Sequence, residues 1–183
     1  MGELIQGDDG LPADGDVGEW VEDKHRALQQ YLYLHSGARA QFSGHPNAYI
    51  DVFCGPGRAK LRGSCRYVDG SPLVAWKASV EKRTPFGVVY IADSDADRRR
   101  ACGERLRKLN APVVEIPGEA AQAAIAIVPK LDPYGLHFAF IDPYSLGALR
   151  LDLIRTLAGV RRMDMSPAAT SNSSTRGRVK LPH

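Results

Sequence analysis

The chain predicts an α/β fold: one parallel sheet with helices on its faces. Three observations carry that expectation. First, short apolar runs at Ala48–Phe53, Gly87–Ala92, Pro112–Ile116 and His137–Ile141 alternate with stretches of helical periodicity. Second, each run ends in glycine, acidic or proline signals: Cys54-Gly-Pro-Gly57, Asp93-Ser-Asp95, Gly118-Glu119 and Asp142-Pro-Tyr144. Third, 183 residues with 44% hydrophobic content supply one domain with a sizeable core. Alternating strands and helices imply right-handed crossovers, so all the strand ends share one rim, where ligands bind in such sheets.

Taken in order, residues 1–18 are rich in Gly and Asp and are expected to lack fixed structure. From Trp20, the residues Val21, His25, Leu28, Tyr31, Leu32 and His35 recur at spacings of three and four, one face of an amphipathic helix that stops at Ser36-Gly37. Ala48–Phe53 is the first strand. Residues 58–70 are polar and basic, with Arg58, Lys60, Arg62 and Arg66, and predict a long loop. Ser71-Pro72 is a helix start, with the proline in the first turn of a helix that runs to Glu81. The second strand, Gly87–Ala92, is followed by a basic amphipathic helix over Ala96–Leu109. The third strand, Pro112–Ile116, leads into an Ala/Ile-rich helix over 120–130. The fourth, His137–Ile141, leads into a helix over Leu149–Leu157, and Arg161–Met165 begins a fifth strand.

After Met165 the pattern stops. Residues 166–183 hold only Val179 and Leu181 as large aliphatics, too little apolar surface to offset an ordering entropy of roughly 1–2 kcal/mol per residue. They are expected to be a disordered basic tail without site residues, removable without loss of stability. A doubly wound domain over 19–165 would continue with further strands, so the C-terminal strands are expected to be missing from this sequence.

The net charge of +3 is unevenly spread. Residues 1–18 carry five acids and no base, and 161–183 carry five bases against Asp164, which leaves +4 across 19–160. Such a body permits a nucleic-acid partner without demanding one. No run of 18 or more apolar residues exists, which predicts no membrane span, and the acidic start is unlike a signal peptide. Three cysteines, Cys54, Cys65 and Cys102, without C-x-x-C spacing argue against a disulfide framework or a zinc site and fit a reducing cytoplasm. No metal site is expected.

The chemistry concentrates in Ala48-Tyr-Ile-Asp-Val-Phe-Cys-Gly-Pro-Gly-Arg58. A strand that ends in Asp51 and Phe53 and breaks at Gly55 and Gly57 suits close approach of backbone to a nucleotide-like ligand. Position 60 is Lys, where the dinucleotide fingerprint needs Gly or Ala, so S-adenosylmethionine (SAM) fits better than a dinucleotide. The bland alternative is a strand–turn whose glycines serve geometry alone. Asp93, where the second apolar run ends, is placed to accept both ribose hydroxyls, while Asp95 is the better helix cap. Glu119 can reach the adenine amino group or simply close a turn. Asp51 shares a strand face with Phe53, so it bonds either loop backbone or the ligand's amino-acid tail.

Asp142, Pro143 and Tyr144 are the catalytic candidates. An acidic residue followed by proline and an aromatic can orient a planar amine: the side chain and backbone carbonyl accept its hydrogens and the ring stacks on it. Methyl transfer is mostly such positioning. The motif is one proline short of the D/N-P-P-Y/F form, and the competing reading is a proline-terminated buried strand with Tyr144 as a core lid. His25, His35, His45 and His137 show no metal spacing and are expected to be structural or superficial, His137 as a buried imidazole with partners. Cys54 has no base near it in sequence.

These residues resemble a known family. Lys24-His25 with Leu28 and Tyr31-Leu32, then Tyr49-Ile-Asp-Val-Phe-Cys-Gly-Pro-Gly-Arg58, Gly70-Ser-Pro-Leu73, Ile91-Ala-Asp93, Gly118-Glu-Ala120 and His137-Phe-Ala-Phe-Ile-Asp-Pro-Tyr144, are similar to the three-Cys-motif partner protein (TcmP) family. The resemblance covers roughly residues 20–165. It implies a Rossmann-like fold of the class I methyltransferase type, SAM as cofactor, and a radical-SAM-like partner that carries the three-cysteine motif. The cysteines of the family's name belong to that partner. Members continue beyond a Met-Asp-Met-like strand, where this sequence turns to Ser166-Pro167 and a basic tail. Two other classes compete with a methyltransferase: a non-catalytic interaction protein that keeps the nucleotide fold as a platform, and a nucleotide-binding oxidoreductase, which Lys60 disfavours.

Overall fold

A computed structural model describes residues 3–145, 147 and 149–167. Its centre is a five-stranded, all-parallel sheet built from β3 (Ala48–Asp51), β6 (Val88–Asp93), β7 (Val113–Pro117), β8 (His137–Ile141) and β9 (Met163–Pro167), in the order β7-β6-β3-β8-β9. Counting only these strands in chain order, the sheet runs 3-2-1-4-5. The winding reverses between β3 and β8, the crevice where Rossmann-like sheets take ligands.

Both faces are covered, which is why these strands are continuous apolar runs rather than alternating ones. Along β3 successive side chains go to opposite sides. Tyr49 joins a core with Leu28 and Leu32 of α1 (Trp20–Leu34), Leu73 and Trp76 of α3 (Ser71–Glu81), and Cys102 and Leu106 of α4 (Ala96–Lys108). Ile50 joins the other, with Ala123 and Ile127 of α5 (Ala120–Ile127) and Leu153 and Leu157 of α6 (Leu151–Ala158). A short helix, α2 (Ser36–Gln41), follows α1. The helical face expected from Trp20 onward buries Val21, Leu28 and Leu32, but Trp20 itself stays 51% exposed.

Two expectations change. Residues 1–18 are not without structure: β1 (Leu4–Gln6) and β2 (Pro12–Val17) pair antiparallel. Residues 58–70 are not a loop but a hairpin of β4 (Arg58–Leu61) and β5 (Tyr67–Asp69). Together they form a second sheet, β1-β2-β4-β5, in which β2 runs parallel to β4 with an irregular register between Asp14 and Val17. Charge pairing explains the order. Asp8 accepts from Arg58 at 2.6 and 3.0 Å, Asp9 accepts from Arg105 at 2.6 and 2.7 Å, and Asp14 pairs with Arg98. Each partner is remote in sequence, so local composition could not foretell it.

The fifth strand extends two residues past its expected start of 161–165, since Ser166 and Pro167 sit opposite Phe140 and Ile141. The rest of the tail expectation, residues 168–183, lies outside the described residues. Among the described residues no helix is long and apolar enough to cross a membrane.

Candidate functional site

A cavity of about 950 Å³ opens at the carboxyl ends of the parallel strands. Its floor is the loop after β3, from Val52 to Gly57. Asp93 and Ser94 follow β6, Glu119 precedes α5, and Asp142-Pro143-Tyr144 follow β8. The opposite wall comes from β2 (Asp14, Gly15, Val17) and from α1 (Trp20, Val21, Lys24, His25). Phe53, Gly55, Gly57, Asp93, Glu119, Asp142, Pro143 and Tyr144 therefore share one cavity, while Asp51 does not line it.

The glycine turn is fixed by geometry. Gly55 has φ +56° and Gly57 φ +77°, and a Cβ on Gly57 would lie 2.8 Å from Leu73 Cδ1 and 3.1 Å from Cys102 Sγ. A side chain there is excluded by the packing beneath the loop as well as by its backbone conformation. Asp51 anchors this loop from below. Its fully buried carboxylate accepts from the Phe53 N–H at 3.0 Å, the Ser71 hydroxyl at 2.7 Å and the Tyr49 hydroxyl at 3.2 Å. Of the two roles weighed for Asp51, it takes the loop-backbone one. Burial pushes its pKa up to about 6.

Asp93 ties the second strand end to the same loop. One carboxylate oxygen accepts from Gly55 N–H at 3.1 Å and the other from Asp95 N–H at 2.9 Å. Burial raises its pKa above the ordinary range, against the pull of those N–H bonds. Each oxygen keeps a further lone pair for a ligand. Asp95 caps α4 by accepting from the N–H groups of Asp97 and Arg98 at 2.8 and 3.2 Å. Glu119 is exposed at the start of α5 and makes no side-chain capping bond, so its carboxylate can turn toward the cavity.

At the fourth strand end Asp142 forms an ion pair with Lys24 of α1. Tyr144 stands 68% exposed and is not a core lid. Sequence reasoning did not single out Lys24, Trp20, Asp14 or Arg98 as cavity residues. A signal for two of them existed: 20, 21, 24, 25 and 28 follow helical spacing, which puts Trp20 and Lys24 beside the buried stripe. The Asp142 contact spans 118 positions and left no local trace. His25 also lines the cavity, where burial and the neighbouring Lys24 charge push its pKa down to about 4, leaving it neutral.

Other candidates resolve into structural parts. His137 is buried, with Nδ1 accepting from Ala48 N–H at 3.2 Å and Nε2 2.8 Å from the Asp132 carbonyl. Burial drives the Cys54 thiol well above its ordinary pKa, the reverse of what a nucleophile needs. Arg58 is held by Asp8 and Asp69, and Arg66 by Glu22 at 2.6 Å.

Compared with protein-family models and with curated proteins, the chain matches none.

Proposed function

We propose that this chain binds SAM at the carboxyl rim of its parallel sheet and passes the cofactor's methyl group to an amine-bearing or nucleic-acid-like acceptor, acting in a reducing cytoplasm. The observation that supports this most directly is one cavity at the switch of strand order that gathers the Gly55-Pro56-Gly57 turn, Asp93 and Asp142-Pro143-Tyr144. Its volume, about 950 Å³, suits a ligand of SAM's size. The bare glycine backbone can approach the cofactor, Phe53 can cover it, Asp93 has lone pairs for the ribose diol, and Glu119 is free for the adenine amino group. SAM supplies an electrophilic methyl on sulfur. The chain's part is to orient the acceptor, with Asp142 and its carbonyl accepting amine hydrogens and Tyr144 stacking. By the resemblance to TcmP proteins, a radical-SAM-like protein with the three-cysteine motif is the proposed partner. Three cysteines without C-x-x-C spacing support a reducing compartment.

Titration calorimetry with SAM tests the reading. Asp93→Ala removes a charged acceptor worth about 1.5–3 kcal/mol, so affinity should fall roughly ten- to hundredfold. Absence of any heat of binding to the intact chain overturns the reading. A second reading, a non-catalytic platform for a partner, draws support from the Lys24–Asp142 ion pair, which occupies the carboxylate that would face an acceptor. Radiolabelled methyl transfer to a pool of nucleic acid and protein, with the partner present, separates the two: transfer abolished by Asp142→Ala eliminates the platform.

A further inference from the structure

Lys24 is an unusual lysine for this chain. Its side chain is only 10% exposed, against 52% for Lys77, and it projects into the cavity rather than along the surface. Its ammonium pairs with the Asp142 carboxylate and lies 4.6 Å from the centroid of the Trp20 ring. A carboxylate and an aromatic ring within reach of one ammonium, in a cavity whose lining includes the apolar side chains of Val21 and Val52, are how proteins recognise an ammonium group.

We propose that the corner of the cavity between Trp20 and Asp142 is a site for a primary alkylammonium group, filled in this structure by the chain's own Lys24, and that amine ligands of this cavity are of lysine type. A flat nucleobase amine can donate hydrogen bonds to the carboxylate, but it is neutral and gains nothing from a ring face that attracts cations. An alkylammonium gains from both. A staple serving only to join α1 to the loop after β8 would sit on the buried packing face with Leu28 and Leu32. Lys24, Asp142 and Trp20 instead all line the cavity, and Trp20 is 51% exposed. Entry of a ligand amine then means displacement of Lys24, which gives the cavity a built-in competitor. The site stands on geometry; its meaning as the acceptor position rests on the methyltransferase reading above, in which the bound ammonium would first give a proton to Asp142, so that the free amine's lone pair takes the methyl carbon as its bond to sulfur breaks and the cofactor leaves as a neutral thioether.

The test uses n-propylammonium, which restores the atoms that Lys24→Ala removes beyond Cβ, with the indole N–H signals of Trp20 and Trp76 in proton–nitrogen spectra as readout. Lys24→Ala should bind n-propylammonium roughly tenfold or more tighter than the wild type does, and tighter than n-propanol binds, with the shift confined to Trp20. Adding Asp142→Asn should remove the preference for the amine over the alcohol. Lys24→Ser repeats the measurement if the alanine variant does not fold. A vacated site that treats n-propylammonium and n-propanol alike, or that keeps its preference after Asp142→Asn, overturns the proposal. The titration contains no SAM, so its failure leaves the cofactor reading standing, and failed SAM binding leaves the amine site to be judged on these spectra.

Discussion

Replacing Arg105 by Met should detach the N-terminal sheet while leaving the central one folded. The side chain is 3% exposed and its guanidinium holds two separate parts of the chain: the segment 9–12, through Asp9 at 2.6 and 2.7 Å and the carbonyls of Leu11 and Pro12 at 3.2 and 2.7 Å, and the glycine loop, through the Pro56 carbonyl at 2.6 Å. Methionine keeps the apolar stem and removes every donor. Breaking a buried ion pair from one side costs about 3–5 kcal/mol. Asp9 is 33% exposed and recovers water, which argues for the lower end, about 3 kcal/mol. For a chain of this size that is a fall of roughly 6–12 °C in Tm. Urea denaturation measures the loss, and amide exchange should show faster exchange at residues 4–17 than in β3 or β6. The same contact holds the Asp9 carboxyl down at about 2 against 3.8 in an open chain. Its charged form is favoured in the fold, so that stabilisation is full above about pH 4 and fades as pH drops toward 2. Arg105→Met should erase this acid limb. A loss under about 1 kcal/mol with residues 4–17 still protected would refute the assignment of Arg105 as the clamp.

Gly57→Ala meets both a positive φ and a Cβ 2.8 Å from Leu73, while Gly10→Ala has φ +81° but open space. The first should cost about 3 kcal/mol and the second about 1 kcal/mol by urea denaturation, and equal costs would show that packing under the loop is not what requires Gly57. Asp51, buried and held near pKa 6 against 3.8, keeps a proton in the fold that the unfolded chain has lost. Its stabilisation is therefore full below about pH 4 and falls as pH rises through 6, by up to about 3 kcal/mol. The stability gap between wild type and Asp51→Asn should shift in the variant's favour across that window, and a gap that does not change with pH removes Asp51 as its source.

The parallel strands were legible because burial on both faces forces an uninterrupted apolar run, as in Tyr49-Ile50 or Phe138-Ala-Phe-Ile141, and because each stops at a polar rim. The cap at Asp95 and the proline start at Pro72 were readable for local reasons: the bonds they make or forgo lie within one turn. The hairpin over 58–69 was missed although Arg58-Ala-Lys-Leu61 carries the period-two sign of a half-buried strand, Ala59 and Leu61 inward and Arg58 and Lys60 outward. Arg58, Lys60, Arg62 and Arg66 give the segment the polar, basic composition of a solvated loop, which masks that alternation. The N-terminal strands were not legible at all, because Asp8, Asp9 and Asp14 acquire their partners 50, 96 and 84 positions away. The same distance hid Lys24 behind Asp142, so the strand-end half of the cavity could be foreseen and the half made by β2 and α1 could not.

β2 is at once the second strand of a small sheet pinned by three arginines and a wall of the cavity, through Asp14, Gly15 and Val17. Docking of the N-terminal segment and occupancy of the cavity are therefore linked equilibria. Whatever fills the cavity against that wall must also hold residues 3–17 down, by as much free energy as the wall lends to binding.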